Sequence, residues 1–388
     1  MKKILLVDDD ALVLELYRKK LAQGGFEVRT AVDGLDAIKV LGSFTPDFVV
    51  LDLMMPKLSG ADVLKFIRAK PALAKVPVAV LTNAFMSDHA RAVNALGVER
   101  AIIKGDCTPA KMLETACQVL GITSAASSPA STTATPPPDT TLINNEARES
   151  FLTNAAAEFT DLRTVSQEFT QDPAAASRSG NLQEFCRQAH HLAGSAALAR
   201  CQYIALLSGA LEALLFELSE KPQFINPSTT RTVAVAVDFL GALVENARNG
   251  RRTDNLVGEV LVVDDDPLAN RIALSALSRA KLSARAVESP LAALDLLTHN
   301  KFDLVLLDVE MPEMTGFELC QKLRELPDYE HTPVIYVTSH ADFENRARSI
   351  GVGGHDLIAK PIFPIELAVK AVLHVIRGKL VAPATTSA

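Results

Sequence analysis

One gapless internal match constrains this chain more than any other feature: residues 1–122 and 257–378 follow the same pattern at a constant offset of 256. Asp8, Asp9 and Asp52 map onto Asp264, Asp265 and Asp308; Pro56 and Gly60 map onto Pro312 and Gly316; Pro77, Thr82 and Lys104 map onto Pro333, Thr338 and Lys360. Chance supplies one such pair, whereas a whole series at one offset calls for the same fold twice. Within the first copy, short strand-like runs at 4–7, 28–31, 48–51, 78–81 and 101–103 alternate with helical patterns. Three of these runs are nearly all apolar, as strands covered on both faces of a parallel sheet must be. The alternation predicts a doubly wound α/β domain in each copy.

Between the copies the character changes. Residues 123–141 (TSAASSPASTTATPPPDTT) are Ser, Thr, Ala and Pro, which cannot build a core, and read as a flexible linker. Residues 142–249 lack strand patterns and repeat Ala, Leu and Phe at helical spacing, predicting an all-α bundle of four or five helices. Asp172-Pro173 and Ser228 read as helix starts. A polar stretch at 250–256 links the bundle to the second copy, and 379–388 reads as a tail.

The marked residues of each copy share one place in such a fold, because ligands of open α/β sheets bind beyond the carboxyl ends of the strands. Asp8 and Asp9 end the first strand, Asp52 the third, Thr82 the fourth and Lys104 the fifth. Three carboxylates meeting there repel unless a hard divalent cation sits among them, and Mg²⁺ suits a site that also carries phosphate. Lys104 and the Thr82 hydroxyl supply the charge and the donor that a phosphoryl group in transfer needs, which leaves Asp52 as nucleophile. Asp264, Asp265, Asp308, Thr338 and Lys360 repeat the set. Taken singly, an acidic strand end is a solvated turn and a lone Thr or Lys carries no message; the duplication of the whole constellation argues for chemistry.

Both copies resemble the receiver domain of two-component response regulators. The matching segments are LLVDDD and LVVDDDP, VVLDLMMPKLSG and VLLDVEMPEMTG, VAVLTNA and VIYVTSH, and IIKG and LIAKP, over about 245 residues. The resemblance implies a flavodoxin-like fold with five parallel strands and phosphoryl acceptance on Asp52 and Asp308. It implies Mg²⁺ held by Asp9 and Asp265, by Asp8 and Asp264 partly through water, and by the backbone carbonyls of Met54 and Glu310. Two departures stand out. The first copy has Lys104-Gly105 where the second has Lys360-Pro361, and a cis peptide is far cheaper before proline. The position where the family often has an aromatic switch residue is Ala101 in one copy and Leu357 in the other, so the usual Thr-to-aromatic coupling cannot operate in its standard form.

In the helical region, the stripe Leu182, Phe185, Cys186, Ala189, Leu192/Ala193, Ala196 marks a buried face. His190 flanks it and His191 points further away; a flanking His on a helix is most often inert, and periodicity does not choose between the two. The segment is similar to the histidine phosphotransfer domain, whose motif reads A-H-x-L-K-G-S, through Ala189, His190, Leu192, Gly194 and Ser195. This implies a four-helix bundle that presents a phosphorylatable His190, with Gly194 allowing a receiver to approach. Ala193 stands where the family has Lys; Arg187, one turn earlier, is the candidate substitute.

Composition sets limits on function. With hydrophobic residues at 48%, charged residues at 22% and a net charge of −7, the chain has no clustered basic surface for nucleic acid. Five cysteines, scattered and without a C-x-x-C pair, read as reduced thiols. The apolar start ends at Asp8, unlike a signal peptide, and membrane insertion is not expected. The resemblances together imply a cytoplasmic, bacterial phosphorelay protein, not a kinase, partnered by a sensor histidine kinase and other relay proteins, with homodimerisation through receiver faces an option. A phosphorylation-switched scaffold with a non-transferring helical region is the competing expectation.

Overall fold

The computed structural model describes residues 1–55, 58–82, 97–104, 107–122, 139–173, 180–250, 258–339, 351 and 353–381. Pro56, Gly105, the 123–138 part of the expected linker, the connection at 251–257 and the end of the tail lie outside them. The chain divides into two compact units. One comprises Met1–Leu162, Glu184–Gly209 and Val244–Arg252; the other comprises Arg163–Gln183, Ala210–Leu243 and Thr253–Ala388.

The first unit holds β1 (Lys3–Val7), α1 (Ala11–Gln23), β2 (Glu27–Ala31), α2 (Gly34–Ser43), β3 (Phe48–Asp52), α3 (Gly60–Ala69), β4 (Val78–Thr82), β5 (Arg100–Ile103) and α4 (Pro109–Val119). The strands pair in parallel in the order β2-β1-β3-β4-β5. The order reverses between β1 and β3, which opens a crevice at their carboxyl ends. Alternation along β1 sorts its side chains between two cores. Leu5 and Val7 join Ala37, Leu41, Val63 and Ile67 on one face, while Ile4 and Leu6 join Val13, Tyr17, Leu21 and Met112 on the other. Helix starts are fixed locally, because Asp33, Ser59 and Thr108 accept hydrogen bonds from the backbone N–H of Asp36, Asp62 and Lys111.

Four helices of the middle region follow among the described residues: α5 (Asp139–Gln171), α6 (Asn181–Leu198), α7 (Gln202–Glu220) and α8 (Pro227–Arg248). Helix α5 begins at Asp139, inside the stretch read as linker. Helix α8 begins one residue before Ser228, because Asn226 Oδ1 accepts from the N–H groups of Ser228 and Thr229 and so provides the cap. Helix α5 ends at Gln171, just before Asp172-Pro173, and residues 174–179 lie outside the described residues. By length and composition α7 is apolar enough to cross a membrane, but 67% of its most apolar window is buried. Burial of Ile204, Leu207, Leu211, Leu214, Leu215 and Leu218, with Glu212 at 0% exposure in mid-helix, gives it the character of a core helix.

The second unit repeats the first fold: β6 (Glu259–Val263), α9 (Pro267–Arg279), β7 (Ser283–Val287), α10 (Pro290–His299), β8 (Leu304–Asp308), α11 (Gly316–Arg324), β9 (Val334–Thr338), β10 (Asp356–Ala359) and α12 (Pro364–Val381). Its parallel order is β7-β6-β8-β9-β10. The Thr315–Glu318 capping box starts α11.

At the root of α12, Asp356 takes hydrogen bonds from Lys370 Nζ at 2.9 Å and lies 3.4 Å from His374 Nε2. Burial alone would raise the Asp356 carboxyl, but His374 and Lys370 hold it well below the usual range. A depressed native pKa stabilises the fold fully above the unfolded value of ~3.9, and this stability is lost as pH falls further, through the native value. Asp356→Asn is therefore expected to cost about 2 kcal/mol at pH 7, and the cost shrinks only as pH falls below ~3.9 toward the depressed native value. Urea unfolding of both proteins from neutral pH down into the acid range checks it; a cost that does not shrink below pH ~4 would refute the charge-based account.

Candidate functional site

Each sheet brings its marked residues to the crevice as expected. In the first unit Asp52 ends β3, Thr82 ends β4 and Lys104 follows β5, and Asp8 and Asp9 follow β1. Lys104 Nζ lies 2.8 Å from Asp52 Oδ2 and 2.9 Å from Asp8 Oδ2. The Met54 N–H donates to Asp52 Oδ1 at 3.1 Å. Asp52 is fully buried, and Asp8, Thr82 and Lys104 are buried beside it. Gly60 makes the arrangement possible: a Cβ there would sit 2.0 Å from the Asp52 carbonyl oxygen, and the Gly60 N–H donates to Leu53 O. Only glycine lets α3 start this close to the acceptor strand. Gly316 does the same in the second unit, 2.1 Å from the Asp308 carbonyl.

The structure separates the two histidines that periodicity left undecided. His190 is buried, with Nε2 2.9 Å from Asp52 Oδ2 and 3.2 Å from Lys104 Nζ. His191 lies half out of the site, with Nδ1 3.7 Å from Glu158 Oε2 and Nε2 4.0 Å from Asp10 Oδ2. Hydrogen bonding to Glu158 raises its pKa against the opposing effect of burial. Gly194, one turn after His190, faces Lys104, since a Cβ there would meet Lys104 Cε at 3.4 Å. Arg187 donates to both Glu184 oxygens and places Nη1 4.0 Å from Asp9 Oδ2, so much of its charge is engaged by its own helix.

Charge is unevenly shared here. Burial would raise Asp52, but Lys104 and His190 together hold its carboxyl well below the usual range. Burial pushes Asp8 up to about 7, Lys104 opposing and the Asp52 charge reinforcing the rise. Two carboxylates thus share one ammonium, with Asp52 keeping its charge. Asp9 is raised by burial and then by the Asp52 charge, and both of its carboxylate oxygens are buried without a hydrogen-bond partner. Such an orphaned carboxylate beside two others fits a divalent cation.

The second pocket is built alike but lies open. Lys360 Nζ is 3.0 Å from Asp308 Oδ2 and 3.0 Å from Asp264 Oδ2, and Glu310 N–H donates to Asp308 Oδ1 at 3.4 Å. One carboxylate oxygen from each of Asp264, Asp265 and Asp308 falls within 4.8 Å of the others. Thr338 is buried at the end of β9 and accepts the Lys360 N–H on its carbonyl. The Lys360 side chain is 23% exposed against 8% for Lys104, and Asp265 is exposed. Burial, and after Lys360's opposing pull the Asp264 charge, raises the Asp308 carboxyl, the reverse of Asp52. Lys360–Pro361 is cis; Leu357 is buried on β10, whereas Ala101 on β5 is exposed.

Sequence reasoning passed over Glu158 and gave Asp10 no role. Ser195 Oγ donates to Glu158 Oε2 at 3.1 Å, and Asp10 accepts from Val13 N–H while its own N–H donates to Asp8 Oδ1. Asp10 had a signal, since the third Asp of the first copy recurs as Asp266. Glu158 had none, lying on a long helix without a motif.

The chain is similar to several known proteins over its receiver-like parts. Residues 38% identical over 109 positions relate the chain to an uncharacterized 14.6 kDa protein of Leptolyngbya boryana, covering 28% of this chain and 83% of that one. The signal transduction histidine-protein kinase BarA of Escherichia coli is 34% identical over 103 residues, 26% of this chain and 11% of its own length. The transcriptional regulatory protein SrrA of Staphylococcus aureus is 34% identical over 118 residues, 30% of this chain and 48% of its own. The chain thus spans a small part of BarA and about half of SrrA. Among solved structures, a signal receiver domain of a histidine kinase from Syntrophus aciditrophicus is 32% identical, covering 34% of this chain and 99% of that one at a TM-score of 0.30. The chemotaxis response regulator CheY4 of Vibrio cholerae is 28% identical, covering 31% and 99% at a TM-score of 0.29. Residues 4–116 and 260–372 each match the response regulator receiver domain, and the chain belongs to that family, carrying the domain twice.

Proposed function

We propose that the chain is a phosphorelay protein in which Asp52 and Asp308 accept phosphoryl groups and His190 exchanges its group with Asp52. The observation that carries this reading is the 2.9 Å approach of His190 Nε2 to Asp52 Oδ2, with Lys104 Nζ bonded to the same oxygen. In the transfer, unprotonated Nε2 attacks the phosphorus carried by Asp52. The N–P bond forms as the O–P bond breaks, and the electron pair returns to the Asp52 carboxylate, where Lys104 holds the charge. A phosphorus must fit between the two atoms, so they part when the group is loaded. Asp8, Asp9, Asp52 and the Met54 carbonyl would hold Mg²⁺ in the first pocket; Asp264, Asp265, Asp308 and the Glu310 carbonyl would hold it in the second. The ion supplies positive charge to the phosphoryl oxygens.

The partners in this reading are a sensor histidine kinase and other relay proteins, with output through protein contacts. A cytoplasmic setting is supported by the five free cysteines. A second reading, a phosphorylation-switched scaffold, draws on Ala193 and on the engagement of Arg187 by Glu184.

The test loads the full chain with radiolabelled phosphate from a histidine kinase and scores acid-labile, alkali-stable label. It is expected to vanish in His190→Ala and in Asp52→Asn and to persist in Asp308→Asn. Phosphohistidine undiminished in Asp52→Asn would exclude the Asp52–His190 pairing, and none in the wild type would favour the scaffold.

A further inference from the structure

The second receiver lacks an aromatic on β10 to report the state of Asp308, since Leu357 occupies that place and is buried. A different connection runs from the same pocket. Lys360, bonded to Asp308 and Asp264, leads through Pro361 and Ile362 to Phe363 and then to Pro364 at the start of α12. Prolines on both sides restrict the backbone of this short segment, so a shift at Lys360 is poorly absorbed before Phe363. Phe363 stacks on Phe224, with centroids 4.4 Å apart and ring planes 2° from parallel. Phe224 belongs to the short turn before α8, and its carbonyl accepts from Thr229 Oγ1 at 2.8 Å, inside the first turn of α8.

One turn into α12, Glu366 grips the same turn of α8. It accepts from Ser228 Oγ at 2.6 Å and from Thr232 Oγ1 at 3.0 Å, with Lys370 Nζ 3.5 Å away. Glu366 and Lys370 are buried despite their charge, and a carboxylate at that depth is retained only when its acceptors are filled. Further along, the Arg377 guanidinium lies 4.9 Å from the Phe239 ring on α8. All of these groups lie in the second compact unit.

We infer that the state of Asp308 is read within the chain, by the first turn of α8, through the segment from Lys360 to Glu366. The inference rests on the reading of Asp308 as a phosphoryl acceptor. A phosphoryl group of about −2 charges replaces the single carboxylate charge, so roughly one negative charge is added beside Lys360 together with new acceptor oxygens. Lys360 moves to them, the segment follows, and the Phe363–Phe224 stack loosens, freeing the first turn of α8. The receiver's partner is then its own helical region.

The experiment uses the full chain carrying Asp52→Asn, with Mg²⁺ and beryllofluoride as the phosphoryl mimic. Bound fluoride is followed by ¹⁹F NMR, and hydrogen exchange is followed in the peptide spanning 225–233. Binding should accompany exchange roughly two- to tenfold faster in that peptide. Phe363→Leu, which keeps apolar volume, should bind the mimic equally and lose the exchange response. Bound fluoride without any change in exchange, or a response retained in Phe363→Leu, would overturn the inference and leave the acceptor reading standing. Absence of bound fluoride would overturn both.

Discussion

Acetyl phosphate and Mg²⁺ are expected to label Asp308 much faster than Asp52 in the wild-type chain. The two pockets carry the same residues at the same spacing, so the difference lies in access. His190 Nε2 sits on Asp52 Oδ2, and Lys104 is 8% exposed, whereas Lys360 is 23% exposed and Asp265 faces solvent. A small donor reaches Asp52 only when His190 withdraws, and an opening cost of ~1.4 kcal/mol already lowers the rate roughly tenfold. Gly194→Leu should remove this protection. Its Cβ alone would already be in contact with Lys104 Cε at 3.4 Å and Nζ at 3.7 Å, and leucine adds three more carbons to that contact. Peptide mapping of aspartyl phosphate in both proteins decides the matter; equal labelling of Asp52 and Asp308 in the wild type would dismiss His190 as a shield.

The largest stability loss is expected at a position with no chemistry of its own. Gly60→Ala places a methyl carbon 2.0 Å from the backbone oxygen of Asp52 and 2.8 Å from the Leu53 Cα. These are main-chain atoms of β3 and its exit, held by pairing to β1 and β4, so relief requires α3 to pull away from the sheet. Such overpacking is expected to cost about 3 kcal/mol or more. Gly42→Ala is the control: it lies in α2 with nothing near its Cβ, and should be neutral or stabilising by up to ~1 kcal/mol. Thermal unfolding of the three proteins tests the contrast, and a Gly60→Ala midpoint near that of wild type would refute the clash.

The receivers were legible because strand burial and pocket chemistry write themselves into the sequence. A run such as FVVLD is buried throughout, and the acid at its end is placed by the strand that carries it. Duplication then turned plausible residues into a pattern. The repeat also exposed Gly60 and Gly316, although not the reason for them, since a backbone-to-Cβ distance leaves no mark on composition. The helical region was harder to read. Its apolar stripe was correct through Leu182, Phe185, Cys186, Ala189, Leu192 and Ala196, yet His190 only flanks that stripe, His191 points further from it, and periodicity gives neither a role. What separates them is the approach of Asp52, 138 residues away in the chain, which no local period encodes. The start of α8 was misplaced by one residue because Asn226 and Ser228 are both capable caps, and only the hydrogen bonds to Asn226 Oδ1 decide between them.

Helix α12 is buried without interruption from Glu366 to Ile376. A helix wrapped on every side belongs to several neighbours at once, here α9 and the sheet of the second receiver on one side and α8 on the other. Recombination that moved this receiver alone into another gene would leave Glu366 without Ser228 and Thr232 and bare an oily flank. The piece that can be inherited or transplanted intact is therefore the receiver together with the helical segments of its compact unit, and the seam between modules runs through the helical region as well as through the polar stretch that looks like a joint in the sequence.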